Sequence, residues 1–275
     1  MNSVLRKFDM KGRSALVTGG ASGLGLAYAE ALAEAGACVT LTGRDLKNVE
    51  REATRLRGQG WDVRPFKADV AQPEEVAAAF DAHITVFGGL DAAFANAGLD
   101  AGAGFWNPAT HSRNPQGQID TFDHATWRKS MSVNLDGVFF TVAEAARVMK
   151  SGGRPGSIIV TSSIASSKVF PPIATPYMAA KAAVTQLVKQ VALELAEYRI
   201  RVNAIAPGMF VTNIGGGYLQ NPAVREAWGK IVPLGKMAEP EQIKPLALFL
   251  ASDASDFVTG TEMVIDGGVL LGNFG

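Results

Sequence analysis

Short apolar runs alternate along the chain with amphipathic stretches, and turn residues separate them. Ser14 to Thr18, Ala37 to Thr42, Asp62 to Lys67, Asp91 to Ala95, Gly156 to Thr161, Ile200 to Ile205 and Thr261 to Ile265 read as strands. Helical spacing predicts helices over Gly23 to Gly36, Asp45 to about Arg57, from Pro73 onward, about Asp123 to Lys150, about Thr175 to Tyr198 and Glu239 to Ala251. Gly36 ends the first helix, Asp45 reads as an N-cap, and Pro73 opens its helix where a missing N–H costs nothing. Strand–helix alternation of this kind implies an α/β architecture, a doubly wound sheet of about seven parallel strands with helices on both faces. No repeat or linker divides the chain, so residues 1–275 are expected to form one domain. Two stretches break the rhythm. One is a polar, Gly/Pro-rich loop at 99–122, and the other an excursion at 209–232.

Composition narrows the class. Of 275 residues 47% are apolar and 19% charged, which favours a packed globule over a disordered chain. The 26 basic and 26 acidic residues cancel, and nothing favours nucleic acid or an anionic membrane as partner. Cys38 stands alone, which excludes an internal disulfide and a multi-cysteine metal site; its strand context reads as a small buried hydrophobe. His83, His111 and His124 show no metal-ligand spacing and are expected on the surface or in loops, so no metal is expected. The first residues carry no signal-like apolar stretch, and no run approaches the ~20 residues of a membrane span. A soluble, cytoplasmic protein is expected.

Two patterns carry chemistry. The turn Thr18-Gly19-Gly20-Ala21-Ser22-Gly23-Leu24-Gly25 lies between the first strand and the first helix. A helix N-terminus offers unpaired N–H groups and partial positive charge, and glycines let a pyrophosphate approach the backbone. Gly19, Ser22, Gly23, Leu24 and Gly25 are the candidate contacts. At the end of the second strand, sites that favour NAD place an acidic residue on the ribose 2′-hydroxyl. Here Thr42-Gly43-Arg44 offers room and a guanidinium instead, which points to NADP, with NAD as the alternative. Asp45 beside it reads as the helix cap.

Tyr177 and Lys181 are spaced i, i+4 and share one helical face. A phenol titrates near 10 and becomes a useful acid/base at neutral pH when a neighbouring ammonium stabilises its anion. Ser163, at the end of the fifth strand, is placed to hold a substrate oxygen, with Ser162 a neighbouring alternative.

Together with Ala95-Asn96-Ala97-Gly98, Asn134 and Pro207-Gly208, these motifs resemble the short-chain dehydrogenase/reductase family over nearly the whole chain. The resemblance implies a single Rossmann-type domain and a catalytic tetrad of Asn134, Ser163, Tyr177 and Lys181. Tyr177 would exchange the proton and Ser163 orient the substrate oxygen. Lys181 would bind the nicotinamide ribose and lower the tyrosine's pKa, and Asn134 would help hold a water relay. It also implies coenzyme contacts at Asp69, Val70, Asn96, Ala97, Gly98, Pro207, Gly208 and Thr212, and a homotetramer.

Two departures stand out. The Ser163-to-Tyr177 interval is one residue longer than usual, and the Asn96-to-Asn134 interval is longer by about a dozen, comparable with a full loop. Among subgroups the chain looks similar to gluconate 5-dehydrogenases through Phe8-Asp9-Met10-Lys11-Gly12, the run from Asn221 to Trp228 and Ala251-Ser-Asp-Ala-Ser255. Reductases of 3-oxoacyl carrier proteins share most of these.

The leading expectation is an oxidoreductase that exchanges hydride between NADP(H) and a secondary alcohol or ketone. A 3-oxoacyl carrier-protein reductase and a sugar-acid dehydrogenase remain as alternatives, and a non-catalytic dinucleotide-binding regulator is the alternative of another class. Lys168 and Arg113 are the basic candidates for a substrate carboxylate, whereas Val169, Phe170, Pro171, Met209 and Phe210 suit an apolar substrate. Phe105 and Trp106 in the long loop are expected to close over the substrate, with packing on a neighbouring subunit as the other reading.

Overall fold

The computed structural model describes residues 3–108 and 110–272, apart from the side chains at 215 and 218. Its strands are β1 (Ser14–Val17), β2 (Cys38–Gly43), β3 (Val63–Lys67), β4 (Ala92–Ala95), β5 (Trp106–Asn107), β6 (Ser112–Arg113), β7 (Gly156–Thr161), β8 (Ile200–Pro207) and β9 (Glu262–Ile265). The helices are α1 (Gly23–Glu34), α2 (Leu46–Arg57), α3 (Pro73–Phe87), α4 (His124–Met131), α5 (Gly137–Gly152), α6 (Thr175–Leu195), α7 (Pro222–Gly229) and α8 (Lys244–Ala251). Among these described residues no helix is long and apolar enough to cross a membrane.

Seven strands form one sheet in the order β3-β2-β1-β4-β7-β8-β9, and each adjacent pair is parallel. The expected doubly wound Rossmann-type sheet is therefore present. Alternate residues of each strand feed opposite faces. Ala15, Val17, Phe94, Ile159 and Ile205 pack with Tyr28, Leu32, Leu56 and Leu250 on the side of α1, α2 and α8. Leu16, Ala93, Ile158, Val160 and Val202 pack with Phe80, Val142, Val184 and Val188 on the side of α3, α5 and α6. Burial on both faces is why these strands read as unbroken apolar runs rather than alternating ones. Each fully buried Leu, Ile or Phe contributes about 1.5–3 kcal/mol. Pro65 lies in β3, an edge strand, where the missing N–H disrupts no second ladder.

The order reverses between β1 and β4, because the chain leaves β3 at one edge and returns beside β1. In such a sheet that reversal opens a crevice at the carboxyl ends of the strands. Three differences from the sequence reading matter there. The helix expected from Asp123 to Lys150 is interrupted at Ser132–Asp136 by a π-helical turn, a wide turn that redirects side chains. The 99–122 stretch carries the antiparallel β5–β6 pair and a 3₁₀ turn at Pro115–Gly117. The excursion holds a 3₁₀ segment, Ile214–Gln220, followed by α7.

Candidate active site

The carboxyl ends of β1, β4 and β7 are laced together by side chains. Thr18 Oγ1 donates to Phe94 O (3.0 Å) and accepts from the N–H groups of Asn96 (3.0 Å) and Ala97 (3.2 Å). Asn96 Nδ2 donates to Thr18 O (2.9 Å), while its Oδ1 accepts from Thr161 Oγ1 (3.1 Å). The glycine-rich turn is thereby held before any ligand arrives. Gly19 and Gly23 have φ of 64° and 51°, in the left-handed region that glycine enters without strain. A Cβ on Gly25 would collide with Gly19 O and Asn96 Nδ2, so the third glycine serves the packing of α1 on the turn.

A cavity of about 480 Å³ runs over these strand ends, a size ordinary for a cofactor and substrate site. Every residue expected at the coenzyme borders it, from the Gly19–Gly25 turn through Arg44, Asp69, Val70 and Asn96–Gly98 to Pro207, Gly208 and Thr212. Asp45 Oδ1 accepts from Lys47 N and Asn48 N, so its carboxylate caps α2 as expected. Thr42 Oγ1, fully buried and bordering the cavity, is the one buried side-chain polar atom without a hydrogen-bond partner among the described residues. Orphaned hydroxyls are costly and call for a partner. The open helix N-terminus, the bare glycine backbone and this hydroxyl together fit an adenine dinucleotide.

Tyr177 and Lys181 stand on the first two turns of α6 and border the same cavity. Lys181 Nζ lies 5.6 Å from the centre of the Tyr177 ring and donates to Thr161 O (2.7 Å). Burial of the ammonium pulls its pKa down to about 8. The two serines part ways. Ser162 Oγ meets Thr185 Oγ1 of α6 at 2.7 Å and lies 3.4 Å from Lys181 O, whereas Ser163 Oγ accepts from Ala165 N (3.1 Å) at the cavity wall.

Asn134 is not among the cavity-lining residues. It sits fully buried in the π turn, where its Oδ1 accepts from Leu99 N (3.1 Å) and its Nδ2 donates to Leu99 O (3.0 Å) and Ser130 Oγ (3.1 Å). Of the four residues expected as a tetrad, three therefore border the cavity and one lies behind its wall.

Of the remaining candidates Met209 and Phe210 border the cavity, and Val169, Phe170 and Pro171 do not. Phe105, Trp106, Arg113 and Lys168 do not border it. Instead the long loop is strapped to the run that leads into α6. Gly104 N donates to Pro172 O (2.9 Å), Trp106 N to Pro171 O (3.2 Å), and Ala103 bridges Ile173. Lys168 Nζ donates to Val269 O (2.9 Å).

Two sequence expectations need correction. His83 is buried rather than superficial, with Nδ1 2.8 Å from Thr40 Oγ1 and Nε2 3.2 Å from Ser14 Oγ; α3 packs on the sheet, and the imidazole pairs two buried hydroxyls. Cys38 is half-buried rather than buried. Sequence reading also passed over Asp100, which borders the cavity. Its place two residues after the Asn96-Ala97-Gly98 motif is the signal that could have found it.

A family profile described as Enoyl-(Acyl carrier protein) reductase matches residues 19–270. Sorbose reductase of Candida albicans is 33% identical, the match covering 97% of this chain and 90% of that protein. A 3β-hydroxysteroid dehydrogenase of Eggerthella lenta is 36% identical over 96% of this chain and 95% of its own. The crystal structure of a gluconate 5-dehydrogenase from Burkholderia cenocepacia, in complex with NADP and tartrate, superposes with a TM-score of 0.86 at 34% identity, covering 98% and 99% of the two chains. The chain belongs to the short-chain dehydrogenase/reductase family and is a dehydrogenase/reductase acting on CH–OH groups.

Proposed function

We propose that this family member is a single-domain, NADP(H)-preferring enzyme that interconverts a secondary alcohol and its ketone, with Tyr177 as acid/base. The observation that carries the reading is that Tyr177, Lys181 and Ser163 border one cavity with the glycine-rich turn and Arg44. The turn and the N-terminus of α1 would hold the pyrophosphate, Asp69 and Val70 the adenine side, and Asn96–Gly98, Pro207, Gly208 and Thr212 the nicotinamide side. When bound, the nicotinamide supplies or accepts hydride at the carbinol carbon.

The protein's own part is the proton and the geometry. In the reducing direction Tyr177 Oη gives its proton to the substrate oxygen, and in the oxidising direction it takes that proton back. The Lys181 ammonium favours the phenolate by charge, and Ser163 Oγ holds the substrate oxygen by a hydrogen bond. Asn134, whose amide is spent on Leu99 and Ser130, is a positioning residue in this reading. The implied water relay would have to pass beside it. Preference for NADP rests on Gly43 and Arg44, with Asp45 committed to capping α2. Turnover of a panel of cyclic ketones, steroids, ketoses and 3-oxoacyl thioesters, followed by NADPH absorbance, tests the reading. Binding of NADPH without turnover of any member would overturn the assignment to these substrate classes.

A cytoplasmic homotetramer belongs to the same proposal. The lone Cys38 accords with a reducing compartment. Between α5 and α6 a shallow groove presents Leu135, Ala183 and Leu187 beside Phe139, which is 51% exposed. An exposed aromatic beside these apolar residues, with Asp136, Gln186 and Gln190 completing the groove, suits a second copy. Light scattering on the wild type and on Phe139→Arg tests this, the variant being expected to give the smaller mass.

A further inference from the structure

The charged side chains bordering the cavity are Arg44, Asp45, Asp69, Asp100 and Lys181. Arg44, Asp45 and Asp69 follow β2 and β3, on the adenosine side. Lys181 is buried, with its ammonium donating to Thr161 O. Elsewhere the substrate end is walled mainly by Ile164, Ile173, Met209, Phe210, Leu219 and Trp228, with Asn213 as an uncharged polar neighbour. Asp100 is thus the one carboxylate bordering the substrate end of the cavity among the described residues. Lys168 and Arg113, the cations that would have received an acid group, lie outside the cavity.

Asp100 is held in place from both sides. Asn134 grips both the N–H and the C=O of Leu99, the residue before it. Asp100 Oδ1 accepts from Gly102 N (3.2 Å), and Ala103 is bridged to Ile173. No cation pairs with the carboxylate among the described residues, and burial pushes its pKa above the usual carboxylate range. A half-buried carboxylate without a cation in an apolar pocket repels an anion and rewards a hydrogen-bond donor.

We propose that Asp100 sets the charge class of the substrate: the pocket accepts a ketone or alcohol that is neutral or cationic and carries a hydroxyl or ammonium donor for this carboxylate, and rejects carboxylate-bearing substrates such as sugar acids. The inference rests on the reading that the reacting oxygen sits at Ser163 and Tyr177. Selectivity of this kind comes as much from repulsion of the wrong substrate as from attraction of the right one.

The test uses the full chain with NADPH and cyclohexanones bearing a 4-carboxylate, 4-hydroxymethyl or 4-aminomethyl group, with plain cyclohexanone as the reference within each protein. In the wild type, kcat/KM for the carboxylate is expected at least about 100-fold below that for the hydroxymethyl compound, with the ammonium compound highest. Asp100→Asn, and Asp100→Ser as a second variant that keeps a turn acceptor, are expected to narrow the carboxylate ratio by roughly ten-fold or more and to remove the ammonium advantage. Equal use of carboxylate and hydroxymethyl ketones by the wild type, or an unchanged ratio in both variants, overturns the proposal. The thermal shift that each compound gives the enzyme–NADP complex supplies a readout independent of turnover. If no ketone is reduced, the redox reading fails, and the order of those shifts still decides the role of Asp100. Shifts that are absent, or indifferent to charge, overturn it as well.

Discussion

The Lys181 ammonium lies 5.6 Å from the centre of the Tyr177 ring, one helical turn further along α6, with its proton donated to Thr161 O at the end of β7. The cation is therefore anchored to the sheet and does not depend on the helix alone for its position. Such an arrangement favours a phenolate where it is needed.

Tyr177→Phe deletes the proton and little else. A loss of about 10²–10⁴-fold in kcat is expected, the range for general acid–base catalysis. Coenzyme affinity, read by fluorescence titration, should change little. Retention of wild-type kcat would remove Tyr177 from the mechanism.

Arg44→Ala bears on coenzyme choice. A hydrogen bond to a charged group contributes about 1.5–3 kcal/mol, or roughly one to two decades in affinity. NADPH should weaken by that factor and NADH hardly at all, as measured by their dissociation constants. Equal wild-type affinity for the two coenzymes would leave Arg44 without this role.

Gly25→Ala drives a methyl into Gly19 O and Asn96 Nδ2, both fixed by the lacing of β1 to β4. Overpacking of this kind costs about 1–3 kcal/mol. A lower Tm and weaker coenzyme binding are expected together, because the displaced backbone is the pyrophosphate cradle. An unchanged Tm would show that the turn yields more easily than its hydrogen bonds suggest.

His83 makes stability depend on acid. Burial lowers its pKa from 6.5 to about 4, so the folded chain holds it neutral while an unfolded chain takes up a proton. Between those values the unfolded state binds more protons, and stability is lost as pH falls from about 6.5 to about 4. The loss approaches on the order of 3 kcal/mol at the acid end. His83→Gln, which keeps hydrogen-bonding capacity but does not titrate, should flatten this part of the pH–Tm curve. Parallel curves for the two proteins would assign the acid sensitivity to other groups.

Much of the architecture was legible in one dimension. Strand and helix periods are properties of the local backbone, so the seven apolar runs, the capping Asp45 and the shared face of Tyr177 and Lys181 could be read directly. The glycine-rich turn announced its site in the same way, because phosphate needs bare backbone and a helix start next to each other in sequence.

Which of two adjacent serine hydroxyls is tied up by the neighbouring helix could not be read so. Both serines border the cavity, but the Ser162 hydroxyl is engaged by Thr185, twenty-three residues further on, whereas the Ser163 hydroxyl accepts from the nearby Ala165 N–H. Asn134 sits behind the wall because a π turn, invisible to periodicity, aims its amide at Leu99. Asp100 borders the cavity and His83 lies in the core, for reasons contributed by distant segments. The sequence by itself determined the strands of the main sheet, most of the helices, their order and the chemical groups at their ends, since these follow from short-range geometry. Only the tertiary structure decided where each group points, since orientation at a strand end is set by whatever packs against it from elsewhere in the chain.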